Sequence, residues 1–179
     1  MSKHAAHHHD HSHDHSHDHS CAHAHDHAGR APEAIRAAEL WCQEHGLRLT
    51  PIRQQALEAL YATHQPLSAY DMIDKMVAAG AKRLAPITVY RALDFLVENG
   101  FVHRLASRNA FVACPFHHKP DELVVFMICD HCGGVDEVLS DDLSKSLSVL
   151  TESHGFAPRL RIIECGGACA HCRDQTKAA

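Results

Sequence analysis

The chain has 179 residues, 45% apolar and 22% charged, enough for one sizeable domain or two small ones with a buried core. No apolar run approaches the roughly 18–20 residues that a bilayer-spanning helix needs, and no charged-then-apolar leader marks export, so the expectation is a cytoplasmic protein whose eight cysteines stay reduced and hold metal. The net charge of −5 argues against a non-specific nucleic-acid binder, but it is uneven: residues 1–28 carry −3, residues 29–115 carry +2, and residues 116–179 carry −4.

Residues 1–28 are low in complexity, with twelve histidines among Asp, Ser and Ala, and nothing in them can form a core. They read as a disordered tail that binds several zinc, nickel or copper ions weakly. The irregular mixture with Asp, Ser and Cys21 sets the tail apart from a plain oligohistidine tag. From Pro32 the pattern turns helical and runs to Gly46. Thr50 and Pro51 then open a second helix, with Ile52, Ala56, Leu57 and Leu60 inward. Ser68, with Asp71 three residues on, caps a third, with Met72, Ile73, Met76 and Val77 buried.

The fourth helix organises the chain. Pro86 opens it, Asn99-Gly100 ends it, and Val89, Leu93 and Leu96 recur at helical spacing. Thr88, Tyr90, Arg91 and Asp94 are left on the outer face, a set of side chains that a major groove accepts. After Gly100 the period becomes alternating, and residues 101–105 and 109–114 flank a short turn as a hairpin. Helices followed by a hairpin make a winged helix-turn-helix, with Arg104 and Arg108 placed to meet phosphates from the wing.

Residues 115–122 hold two prolines and read as a hinge. Beyond it, strands over 123–128 and 135–139, a helix starting at Ser140, carrying Leu143, Leu147 and Leu150 and ending near Gly155, and a strand over 156–165 complete a unit of about 60 residues, small enough to need a metal or a partner chain. Two Cys-x-x-Cys pairs, Cys129 with Cys132 and Cys169 with Cys172, fit a closed tetrahedral shell around zinc. A redox dithiol is the competing reading, but the duplicated motif lacks a thioredoxin-like setting. Cys165 reads as core or a bystander. A second, mixed set comprises His103, Cys114, His117, His118, Glu122 and Glu137; its nitrogen, sulfur and carboxylate donors suit zinc, and ligands from both units would tie their relative orientation to occupancy.

These residues resemble the ferric uptake regulator family, and more closely its zinc uptake regulator branch. The resemblance is carried by Leu47-Arg48-Leu49-Thr50-Pro51-Ile52-Arg53, Ser68-Ala69-Tyr70-Asp71, the run Thr88 to Leu96, Gly100-Phe101-Val102-His103, the run Phe126 to Gly133, and Cys169 with Cys172. It implies an α+β protein with a winged-helix DNA-binding domain over 29–114, a hinge over 115–122, and a dimerisation and metal-binding domain over 123–179. It further implies a cytoplasmic homodimeric repressor, not an enzyme, with zinc as corepressor on an A·T-rich palindrome in double-stranded DNA that controls zinc import. Tyr90 and Arg91 would contact DNA, the four cysteines would hold structural zinc, and His103, Cys114 and Glu137 would belong to the sensing site. The chain departs from the pattern where relatives place a fourth, histidine ligand: the aligned position is Glu122, with His117 and His118 shortly before it.

Two other classes compete with this reading. A zinc store or chaperone would use the tail as its working part. A zinc hydrolase would need an open metal position beside a general base, for which Glu122 near His117 and His118 is the candidate.

Overall fold

In the computed structural model, which describes residues 27–82, 84–114 and 122–177, the elements run α1 (His27–Glu44), α2 (Pro51–Tyr61), α3 (Ala69–Ala78), α4 (Pro86–Glu98), β1 (Val102–Leu105), β2 (Ala110–Ala113), β3 (Val124–Cys129), β4 (Val135–Leu139), α5 (Asp141–Ser153), β5 (Ile162–Gly167) and α6 (Ala170–Lys177). The first 26 residues, and with them nearly all of the histidine-rich tail, lie outside the described residues, as do His117 and His118.

Local chemistry explains the helix ends. Ser68 accepts from the Asp71 N–H while Asp71 accepts from the Ser68 N–H, a complete capping box at the start of α3. Pro51 and Pro86 open α2 and α4, where the first-turn donor has no intrahelical partner. Thr50 stands at the N-cap of α2 as expected, but its hydroxyl makes no capping bond. α4 ends through Asn99, whose side-chain amide donates to the Phe95 carbonyl at 2.7 Å, and through Gly100 at φ +73°, which lets the Phe101 N–H return to the Leu96 carbonyl at 2.9 Å.

Helices α1 to α4 and the β1–β2 hairpin enclose the main core, in which Ala56, Val89, Leu93 and Leu96 are fully buried. Leu67 pairs with Phe111 through two backbone hydrogen bonds of 2.8 and 3.0 Å, adding a third short edge to the wing. Arg53 lies 3.4 Å above the Phe95 ring and ties α2 to α4.

The second unit is a three-stranded sheet in the order β4-β3-β5, with β3 antiparallel to β4 and parallel to β5. Val124, Phe126, Ile128 and Val135 form its core, and Leu105 of the wing is buried in that same cluster, with Val112 packed against it. One hairpin thus serves both cores, so the wing bridges the expected boundary at residue 115.

Three expectations need correction, and one helix face is left uncovered. α1 runs through Pro32 and does not begin there. Val77 is exposed. The third strand of the sheet covers Ile162–Gly167, not 156–165, because it pairs with β3 only from Val124↔Ile162 to Cys129↔Gly167 and β3 begins at Val124. α5 buries none of its residues: Leu143 and Leu150 are exposed and, with Val149, leave an apolar face that the monomer does not cover.

Leu93→Ala should lower the unfolding free energy by about 2–5 kcal/mol and Ser68→Ala by about 1 kcal/mol, measured by urea unfolding at constant free zinc.

Candidate metal centres and nucleic-acid interface

The turn after β3 and the start of α6 bring four thiols together. The Sγ atoms of Cys129, Cys132, Cys169 and Cys172 all lie within 4.8 Å of one another. About 3.8 Å separates thiolates around a tetrahedral zinc with Zn–S bonds near 2.3 Å, so the cluster needs little contraction to close on the ion. Local backbone geometry makes this possible. Gly133 at φ +71° turns the chain so that its N–H reaches the Cys129 carbonyl at 3.0 Å, while the Asp130 N–H bonds the Gly167 carbonyl at 2.7 Å and joins the turn to the end of β5. The Cys169 N–H points at the Cys129 sulfur from 3.3 Å. Burial by itself would raise the Cys129 pKa, but N–H groups of Cys132, Cys169 and His131 and the Cys132 thiol hold it down at about 6. A thiolate ready for metal at neutral pH is the result.

A second cluster forms where the wing meets the sheet. His103 on β1, Cys114 just after β2 and Glu137 on β4 place their donor atoms within 4.8 Å of one another. The His103 Nε2 lies 3.8 Å from a Glu137 oxygen, and the Cys114 sulfur lies 4.0 Å from the same oxygen. Phe126, the register partner of Glu137, sets its ring edge-on to His103 at 5.1 Å. Tyr61 at the end of α2 donates its buried hydroxyl to the Cys114 carbonyl at 3.0 Å. Burial, and then the nearby Cys114 and Glu137, push the Tyr61 pKa up, so the hydroxyl stays a donor. Nitrogen, sulfur and oxygen in this arrangement suit a divalent zinc-like ion.

Glu122 does not join this cluster. It is exposed and lines, with His103, Arg104 and Arg161, a cleft of about 530 Å³ between the wing and the sheet.

On α4, Arg91 and Asp94 are exposed, while Thr88 and Tyr90 are half-buried and Tyr90 packs partly against the main core. Arg104 points from β1 to Asn109, donating to its side-chain oxygen at 3.1 Å; Asn109 adopts φ +46° in the turn. Arg108 pairs with the carboxylate of Asp130, inside the first Cys-x-x-Cys loop.

Residues 44–164 match the Ferric uptake regulator family. The chain belongs to that family. It is similar to the zinc uptake regulation protein of Escherichia coli (strain K12), 38% identical over 140 residues, which cover 78% of this chain and 81% of that protein. Among solved structures, a zinc uptake regulator complexed with zinc and DNA matches with a TM-score of 0.76 at 37% identity, covering 83% of this chain and 98% of that one. Holo XcZur matches with a TM-score of 0.68 at 43% identity, covering 79% and 98%. The family's α+β fold is the one seen here, and no helix among the described residues is long and apolar enough to cross a membrane.

Sequence reasoning missed the residues that hold these sites in place. Tyr61 carried no signal beyond an aromatic at a helix end. Glu164, which contacts the wing turn, showed only as a charge inside an apolar strand, and Asp130 was overlooked between two cysteines.

Cys132→Ser should empty the four-thiol centre and unfold the second unit, whereas Cys114→Ser should keep that metal and the fold. Metal content per chain and circular dichroism of both variants, purified with zinc, check the difference.

Proposed function

We propose that this chain is a zinc-responsive transcriptional repressor that binds palindromic operator DNA as a homodimer and controls zinc uptake genes. The observation that carries the reading is the placement of His103, Cys114 and Glu137 on both sides of the seam between the wing and the sheet. Cys129, Cys132, Cys169 and Cys172 would hold a structural zinc, and the seam cluster would hold the regulatory one, completed by Glu122, His117 or His118. His103, Cys114 and Glu137 would hold a zinc ion at the seam, which would supply a positive centre for imidazole, thiolate and carboxylate. His103 and Cys114 belong to the wing and Glu137 to the sheet, so holding all three would fix the angle between the two units. In a dimer this angle decides whether two α4 helices can enter major grooves about one helical turn apart. The corepressor must favour the DNA-competent arrangement by several kcal/mol to swing occupancy fully.

The exposed apolar residues Leu143, Val149 and Leu150 on α5, with Phe156 and Leu160 beyond it, fit the dimer interface. Thr88, Tyr90 and Arg91 on α4 would face base edges and phosphates, with Arg104 and Arg108 as the wing cations. Residues 29–114 would form the DNA-binding domain and 123–179 the dimerisation domain, in the cytoplasm and without a catalytic role. The histidine-rich tail would add weak zinc sites as a buffer. A storage or chaperone role would rest on that tail, which lies outside the family match, and the relatives favour the regulator.

The full chain, titrated against duplexes from zinc-importer promoters across buffered free zinc, should bind tightly and sequence-specifically only with zinc; no specific binding at any zinc level overturns the proposal. In the same assay Arg91→Ala should weaken binding by about 1–3 kcal/mol and relax base preference. His103→Ala should abolish the zinc dependence while leaving a folded dimer with its four-thiol metal, read by metal content and size-exclusion mass.

A further inference from the structure

Polar contacts made by Glu164, Arg108 and Gln65 join the wing and its neighbouring loop to the second unit. Glu164 on β5 accepts the Ala106 N–H at 2.7 Å on one carboxylate oxygen and the Ser107 N–H at 3.0 Å on the other, so a single side chain grips both amides of the wing turn. The next residue, Arg108, places its guanidinium on Asp130 in the Cys129–Cys132 loop. Gln65 donates its side-chain amide to the Cys132 carbonyl at 2.7 Å and packs 3.6 Å from where a Cβ on Gly133 would stand. Beneath them, Leu105 is fully buried against the sheet core.

Successive backbone amides in a turn are a ready anion receptor, and beside an arginine they suit a phosphate. Here the receptor is filled by the protein's own carboxylates. Burial would raise the Glu164 pKa, but the Ser107 side chain and the Ala106 and Ser107 amides bring it below its ordinary value, as expected for a carboxylate held in its charged form. Two meanings are open to such a contact: the carboxylates either block a phosphate position or hold the wing where DNA binding needs it. The whole-chain likeness to a zinc uptake regulator complexed with zinc and DNA, TM-score 0.76 over 83% of this chain, spans both units and favours the second.

We propose that Glu164 is a positioning residue for DNA binding: it grips the wing turn, with Asp130 on Arg108 as its second hold, and keeps the hairpin docked on the sheet in the orientation that presents α4 to DNA. The proposal rests on the DNA-binding reading above. It also gives Arg108 a carboxylate partner within the chain and links the four-thiol loop directly to the wing.

The test uses the full zinc-loaded chain with Glu164→Ala, Glu164→Gln and Asp130→Asn, and reads amide hydrogen exchange by NMR, zinc per protomer, dimer mass, and DNA affinity as a function of salt. Glu164→Ala should speed exchange at the Ala106 and Ser107 amides by about tenfold or more, leave zinc content and dimer mass unchanged, and weaken DNA binding by about tenfold. The slope of log affinity against log salt should stay the same, because no phosphate contact is removed. Glu164→Gln, which keeps one acceptor, should fall between wild type and Ala, and Asp130→Asn should weaken binding in the same direction. Unchanged exchange overturns the grip. Tighter DNA binding overturns the positioning role and makes the carboxylate a phosphate mimic. Loss of zinc or of the dimer reduces Glu164 to a structural residue. If the wild-type chain binds no DNA at any zinc level, the repressor reading falls and with it the DNA role of Glu164, while the exchange result still decides whether it holds the wing.

Discussion

Four sulfur atoms within 4.8 Å of one another stand where the second unit of this chain would otherwise need a larger core. Among the described residues its sheet core is a small cluster of Val124, Phe126, Ile128 and Val135, to which the wing lends Leu105. Closing the long connection between the two Cys-x-x-Cys pairs removes freedom from the unfolded chain, and metal affinity at such a centre is folding free energy. The thiols do more than close a knot. The Cys129–Cys132 loop carries Asp130, which meets Arg108, and the Cys132 carbonyl, which receives Gln65. The turn that carries two of the four thiols therefore forms the ledge on which the wing sits.

The wing in turn has two masters. Phe111, Val102 and Ala113 face the helical core, while Leu105 and Val112 face the sheet. Alternation along a strand sends successive side chains to opposite sides, so a four-residue strand can belong to two cores at once. α4 joins β1 through a short cap with the Phe101 N–H bonded to the Leu96 carbonyl, so a tilt of the hairpin carries the helix with it. His103, Cys114 and Glu137 lie at the pivot of this arrangement, and Glu164 and Asp130 at its outer end. The proposed coupling of metal to DNA needs no distant pathway, because two of the three ligands, His103 and Cys114, lie on the wing's own backbone.

Much of this was legible in the chain. Capping and breaker residues placed Ser68, Pro51, Pro86 and Gly100 at real helix boundaries, because those effects are decided within one turn of backbone. The two Cys-x-x-Cys pairs were readable for a similar reason: each pair meets locally, and only the joining of the two requires the sheet. The apolar face of α5 was also visible in Leu143, Leu147 and Leu150, but periodicity shows that a face seeks cover and not whose surface covers it. The late start of β5 escaped notice because a strand begins where its partner does, and β3 is more than thirty residues away in sequence.

The amino-acid order alone determined where helices start and stop, which face of α4 turns inward, and which thiols are spaced to share an ion. All of these depend on interactions a few residues apart, at fixed helical or turn geometry. Tertiary structure alone decided which of the described mixed donors meet: His103, Cys114 and Glu137 come from β1, the end of the hairpin and β4, while Glu122 lines the cleft next to His103. It also decided that Glu164, an unremarked charge on a strand, would reach across to the wing turn. Residues that are 57 or more positions apart meet only through sheet register and shared packing, and no local pattern records either.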